Sequence, residues 1–215
     1  MSALVVYGAG GHGKVVCDIL LAGGHEVAGF VDDGAAVGTR VLGLPVLGPM
    51  AWLEANPSRV ALGVGDNTAR ARVAESALAA GSTLVTAIHP RAVVAKSARL
   101  GPGAVVMALA VVNADATVER GGIVNTAAVV EHDCVVGPFA HVSPNASLGG
   151  GCRVEGFAQL GIGATMLPGT TVGERTIVGG GAVVVAPIPA DVVAVGIPAR
   201  VLRAVTPAHL GATGE

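Results

Sequence analysis

Between Val124 and Leu148 the chain reads VNTAAVVEHDCVVGPFAHVSPNASL, and every sixth residue of that run is aliphatic: Val124, Val130, Val136, Val142 and Leu148. Four residues after each stands a small one: Ala128, Cys134, Ala140, Ala146 and, just beyond the run, Cys152. A period of six fits neither a helix nor an ordinary strand, whose side chains repeat at about 3.6 and 2.0 residues. It fits a coil of three short strands in which each hexapeptide makes one flat side of a triangular prism. The aliphatic residue then points inward and the small one lies near the tight corner. Three sixes make one turn, so residues i and i+18 are expected to stack about 4.8 Å apart, as neighbouring strands do.

The register runs outward in both directions. It reaches back to Val94 and forward to Val184, with Leu100, Leu160 and Met166 in the inward slot, and the small slot from Ala98 to Ala182 holds only Ala, Gly, Cys or Thr. Ile88 with Ala92 adds one unit at the start. An interior this narrow has no room for rings, which accounts for an aromatic content of 2%. The pattern resembles the hexapeptide acyltransferase superfamily. That resemblance implies a left-handed parallel β-helix over residues 88–215 and assembly as a homotrimer. Beyond Val184, PIPADVVAVGIPARVLRAV reads as a turn and strand leaving the coil, and TPAHLGATGE as a frayed end.

Residues 1–87 read differently. LVVYG, a glycine loop, helix-like KVVCDILLAGG, EVAGFVDD, RVALGVGDN, helix-like TARARVAESALAAG and STLVTAIHP alternate strand with helix. Such alternation predicts a small parallel α/β sheet preceding the β-helix.

Composition narrows the function classes. A net charge of −2 with scattered acids and bases offers nucleic acid no basic stripe. Mean hydropathy is high at +0.67, yet no apolar stretch approaches the roughly 20 residues of a membrane span. The start, MSALVVYGAGGHGKVV, lacks the basic region of a signal peptide. Cys17, Cys134 and Cys152 are odd in number and widely spaced, so a reducing cytoplasm is expected.

Gly8-Ala9-Gly10-Gly11-His12-Gly13 matches G-x-G-x-x-G between a strand and a helix, where backbone amides and the helix start hold phosphate. Asp32 and Asp33 end the next strand, where an acid suits a sugar hydroxyl or a base edge. A dinucleotide site is one reading, but the α/β part is about half a doubly wound domain. A ligand-free tight turn is another. GAGGHGKVV, Asp32-Asp33 and Gly65-Asp66-Asn67, followed by AIHPRAVV, NTAAVVEHDC, FAHVS and GIPAR, resemble the bacterial family of nucleotide-aminosugar N-acetyltransferases and sialic acid O-acetyltransferases. The resemblance covers nearly the whole chain. It implies a nucleotide-sugar substrate, with Gly10, Gly11 and His12 near the diphosphate and Asp32, Asp33 and Gly65 near the nucleoside.

His132 is the third residue of its hexapeptide, near a prism edge, and adding 18 lands on Gly150. A proton acceptor therefore stacks beside a backbone amide with no side chain, and Gly149-Gly150-Gly151 lets a thioester come close. Acyl transfer to an amine needs a base for the nucleophile's proton and a donor for the developing oxyanion. Histidine, with an ordinary pKa of about 6.5, suits the first task. The resemblance implies the same roles: His132 as general base, Asp133 assisting it, and Gly150 at the oxyanion. It also implies acetyl-CoA as co-substrate, with His141 near the thiol, Ile162 and Gly180 along the pantetheine arm, and Gly196-Ile197-Pro198-Ala199 near coenzyme A. Cys134 and Cys152, one coil apart in the small slot, are expected as packing residues rather than nucleophiles.

These readings converge on acetyl transfer from acetyl-CoA to the 4-amino group of a nucleotide-linked amino-dideoxy sugar, with no metal. The sugar is expected to project from the glycine loop toward the edge bearing His132. Sugar O-acetylation uses the same groups and is the nearest alternative. A zinc-dependent hydratase of the carbonic anhydrase type shares the β-helix, but His132 and His141 lack its histidine spacing. A purely structural β-helix or a nucleotide sensor is a third possibility.

Overall fold

The computed structural model describes residues 2–206. The expectation of a frayed end falls largely on residues 207–215, outside the described residues.

Strand β1 (Leu4–Tyr7), fully buried, runs into helix α1 (Gly11–Ala22), and β2 (Gly29–Val31) returns parallel to it. A short antiparallel pair follows, β3 (Arg40–Val41) and β4 (Leu44–Gly48), then α2 (Ala51–Ala55), β5 (Arg59–Leu62), α3 (Asn67–Ala79) and β6 (Thr83–Leu84). The sheet order is β3-β4-β2-β1-β5-β6, parallel except at β3. The β3–β4–α2 segment was not apparent from periodicity. Its strands are short, and Pro45 and Gly48 interrupt the pattern.

From Ala87–Ile88 to Val183–Val184 the chain is a left-handed parallel β-helix of two-residue strands, one per hexapeptide. Pairing joins i to i+18 throughout, as in Val105 to Ile123, Val111 to Val129 and Thr117 to Val135. The strands stack into three faces. The first begins at Ala87–Ile88, the second at Val93–Val94 and the third at Arg99–Leu100. The inward column from Val106 to Val184 and the small column from Ala104 to Ala182 form one continuous core. Ile88 departs from the expected inward burial: it is 43% exposed, because the coil is open below its first rung. At the other end, Val192–Val195 and Arg200–Ala204 form a hairpin that extends the first face.

From Gly103 to Gly181 every corner has one residue with positive φ immediately before the small slot. Some are glycines, such as Gly121 and Gly151, but Leu109, Ala127, Asp133, Phe139 and Phe157 adopt the same conformation. Left-handed backbone in a residue with a Cβ costs about 1 kcal/mol or more, and here the stacked coils impose it.

The α/β domain lies on the first face. Leu4, Val6, Val16, Ile19 and Leu20 pack with Ala87, Val105, Met107 and Ile123, the last four projecting from the coil. Burying that column removes from water the surface an isolated β-helix would expose, at about 25 cal/mol per Å². Among the described residues no helix is long and apolar enough to cross a membrane.

Candidate active site

The turn Glu131–Cys134 joins the second face to the third. Its αL residue, Asp133 at φ 59°, directs its carboxylate back onto the preceding ring: His132 Nδ1 lies 2.8 Å from Asp133 Oδ2. Asp tolerates this conformation better than most residues. With Nδ1–H donated to Asp133, Nε2 keeps its lone pair. Both side chains are open to solvent, at 62% and 65%. The hydrogen bond to Asp133 raises the imidazole pKa against an opposing desolvation, and the charges of Asp133 and Glu131 add to the rise. Asn113 stands one coil below Glu131, and its Nδ2 donates to Glu131 Oε2 at 2.9 Å.

One coil above, Gly150 meets the ring face on. A Cβ built on Gly150 would lie 2.5 Å from both Cε1 and Nε2 of His132, so no other residue fits without displacing the base. Its N–H has no acceptor among the described residues, while its carbonyl accepts from Gly169 N at 2.9 Å. A basic nitrogen and an open amide thus border one space, as addition to a thioester carbonyl requires.

Half of the glycine loop is packing and half is open. A Cβ on Gly8 would lie 2.6 Å from the Gly63 oxygen, and one on Gly13 only 1.8 Å from the Gly8 oxygen, so these two let strand and helix approach. Around Gly10 and Gly11 a Cβ would meet nothing within 4 Å, which leaves the start of α1 accessible.

Residues 3–77 match the PglD N-terminal domain. PerB from Caulobacter crescentus, in complex with CoA and GDP-perosamine, is 44% identical, with 94% of this chain and 97% of that one covered at a TM-score of 0.89. The chain belongs to the nucleotide-sugar N-acetyltransferases. It is accordingly an acetyl-CoA-dependent N-acetyltransferase. The acetyltransferase domain of PglB from Neisseria gonorrhoeae, in complex with acetyl coenzyme A, gives 41% identity, coverage of 93% and 98%, and a TM-score of 0.88. UDP-N-acetylbacillosamine N-acetyltransferase of Bacillus subtilis is 34% identical over 121 residues, which span 52% of that protein.

Asp32 accepts from the backbone of Ala9 at 2.7 Å and of Gly34 and Ala35 at 2.8 Å each, so its first role is to close the glycine loop. Asp33 accepts from Tyr7 Oη and from Met50 N at 2.8 Å, which ties β1 to the α2 turn. Burial, then this hydrogen bond, raises the Tyr7 pKa. Both carboxylates remain at the end of β2 beside the loop, with lone pairs to spare.

His141 lies apart from His132 within one chain. It is 8% exposed and projects from the first face beneath the α/β domain. Asn125 Nδ2 reaches its Nε2 at 2.9 Å, and Asn125 Oδ1 is held by Thr126 N at 2.7 Å, which orients the amide. Its other partner is the Gly65 backbone. Burial, then Arg70, then His12 lower the His141 pKa to about 3. His12 meets it edge-on at 6.2 Å, its pKa lowered to about 4 by burial and then Arg70. The Nε2 of His12 is buried without a partner among the described residues. Within one chain, His132 and His141 face opposite sides of the prism.

Ile162 and Gly180 stack one coil apart, but at the corner between the first and second faces, a different edge from His132 and Gly150. The Gly196–Ala199 turn crosses the end of the second face, where Val183 N bonds Gly196 O at 3.0 Å and Ala199 N bonds Val183 O at 2.7 Å. The expected path of the sugar also fails within one chain. The α/β domain covers the first face, and His132 lies on the edge opposite it. A six-residue side at about 3.3 Å per residue puts packed core on the order of 15 Å deep between them.

The interdomain seam was not read from the sequence. Arg70, wholly buried, donates from Nε to Gly121 O (2.8 Å), from Nη1 to Val64 O (3.1 Å) and Gly65 O (2.8 Å), and from Nη2 to Asn67 Oδ1 and Phe139 O (2.8 Å each). Asn67 Nδ2 adds a bond to Phe157 O at 2.9 Å. The signal was present in α3: Asn67, Arg70, Ala74 and Ala77 form its one buried stripe.

Proposed function

We propose that this chain, as a homotrimer, transfers acetyl from acetyl-CoA to the 4-amino group of a nucleotide-linked 4-amino-4,6-dideoxy sugar. The observation that carries the reading is the pairing of His132 Nε2, kept basic by the 2.8 Å Asp133 contact, with the open Gly150 amide against its ring. Free amine attacks the thioester carbonyl, and Gly150 N–H receives the oxyanion. His132 Nε2 takes the proton that nitrogen sheds. Collapse of the intermediate breaks the C–S bond, and the imidazolium returns that proton to the departing thiolate. The glycine loop and the start of α1 hold the diphosphate. A sugar held by its anomeric phosphate presents the ring carbon opposite, hence a 4-amine. GDP-perosamine, bound to the PerB relative, fits this substrate class.

What supports the trimer is where the pieces lie. The second face projects Val93, Val111, Val129, Ser147, Thr165 and Val183, with no charge among them and no covering element among the described residues. His132 and Gly150 border it on one side, Ile162 and Gly180 on the other. Packing this face about a threefold axis brings the His132 edge of one protomer to the Ile162 edge and glycine loop of its neighbour. Each site then takes its base from one subunit and its nucleotide loop from the next. Three buried, unpaired cysteines suit the reducing cytoplasm we assign.

The test supplies acetyl-CoA with GDP- and UDP-linked 4-amino sugars, their 4-hydroxy counterparts and free amino sugars. The reading expects turnover of nucleotide-linked amines alone. Preference for the hydroxy sugars would make the protein an O-acetyltransferase, and equal use of free sugars would remove the glycine loop from the site.

A further inference from the structure

Cys134 ends the turn that carries His132. It is fully buried in the small-residue column, with Ala116 one coil below and Cys152 one coil above. Its thiol is not only filler: Sγ donates to Gly149 O at 3.1 Å. Burial pushes the thiol pKa up to about 11, so the proton stays on sulfur at neutral pH. Gly149 C=O and Gly150 N–H are the two ends of one peptide plane. A donor on the carbonyl fixes the orientation of that plane. It also draws electron density toward oxygen, which strengthens the N–H at the other end as a donor.

One coil up, the same slot provides a natural contrast. Cys152 Sγ donates to Leu167 O, also at 3.1 Å, but the next residue is Pro168, whose nitrogen has no hydrogen. Thr170 Oγ1 also donates to Leu167 O, at 2.6 Å, so that carbonyl keeps a partner without Cys152. The two thiols are alike in packing and differ in what lies across the peptide.

We propose that Cys134 is a positioning residue for the transfer: its S–H orients and polarises the Gly149–Gly150 peptide so that Gly150 N–H meets the developing oxyanion. The turn Glu131–Cys134 then sets both halves of the chemistry, the base through His132 and the oxyanion donor through Cys134. This role rests on the assignment of Gly150 made above.

The experiment measures kcat and both KM values for Cys134→Ala, Cys134→Ser, Cys152→Ala and His132→Asn, alongside melting temperatures. Losing a donor one peptide behind the oxyanion should cost less than losing an oxyanion donor itself, so Cys134→Ala should lower kcat about 3- to 10-fold. Its KM values should stay within about twofold of wild type. Cys134→Ser, which keeps a donor, should recover most of the rate, and Cys152→Ala should keep wild-type kcat despite the same packing loss. A kcat in Cys134→Ala equal to that of Cys152→Ala overturns the proposal, as does a Ser variant no faster than the Ala variant. Slow His132→Asn beside normal Cys134→Ala removes the cysteine role alone. Normal turnover in His132→Asn overturns the site assignment and the cysteine role with it.

Discussion

Two inactive variants should restore activity to each other when mixed. His132→Asn retains the nucleotide loop and loses the base. Gly11→Asp retains the base and places a carboxylate where the diphosphate would sit. A Cβ at Gly11 meets nothing within 4 Å, and an acid in the first turn of α1 favours the helix, so the fold is spared. If each site draws its loop from one protomer and its base from the next, random trimers from an equal mixture contain whole sites. Half of the protomers bring an intact loop and half of their neighbours an intact base, so about one quarter of sites are complete. The mixture should therefore turn over at about 25% of the wild-type rate, while each parent remains about 10²- to 10⁴-fold down. The assay is thiol release from acetyl-CoA with a nucleotide-linked 4-amino sugar, after co-refolding, with subunit exchange verified by native mass spectrometry. A site built within one chain yields no complete copy in any mixture. Exchanged trimers that stay at the parental background would refute the composite site.

His132→Asn by itself should lower kcat about 10²- to 10⁴-fold with acetyl-CoA affinity unchanged by calorimetric titration. Wild-type kcat/KM should fall on acidification through the raised imidazole pKa, since only neutral His132 accepts a proton. Stability should also fall with acid, for a separate reason. His12 and His141 stay neutral when folded, at pKa values of about 4 and 3, but take up protons near pH 6.5 once unfolded. Stability is full above that pH and drops by about 1.4 kcal/mol per unit for each histidine as pH falls toward the folded values. Urea melts from pH 7 to pH 5 check this, and a His141→Gln variant with the same slope as wild type would contradict it. Arg70→Met should destabilise by about 3–5 kcal/mol, because the buried carbonyls of Gly65, Gly121 and Phe139 lose their donor. A denaturant midpoint within experimental scatter of wild type would argue against the seam as described.

The coil was legible because a prism with a narrow interior forces its own period on the sequence. Inward residues must be aliphatic and corner residues small, whatever the protein does. The corner backbone was not legible: Leu109, Phe139 and Phe157 take positive φ with no glycine or asparagine to signal it, since the stacked coils hold them there. In the sequence Asp32 reads as a ligand candidate and not as the brace of the glycine loop. Its three backbone partners depend on a loop path that composition does not encode.

The burial of His141 was recoverable from the repeat. Its outward column, taken every 18 residues, is Ala87, Val105, Ile123, His141, Gln159 and Ile177. Apolar residues pointing outward on successive coils mean that the face is covered, and a histidine in such a column belongs to a seam. The same arithmetic separates the two halves of the site. Gly150 lies 18 residues from His132 and shares its edge, whereas Ile162 and Gly180 lie 30 and 48 residues on, each twelve beyond a multiple of 18. Twelve residues are two sides of the triangle. Two sides one way is one side the other, so the second face, on the order of 20 Å wide, separates the two edges within one chain; for both edges to meet the thioester end of one acetyl-CoA, a second copy of the chain must supply one of them.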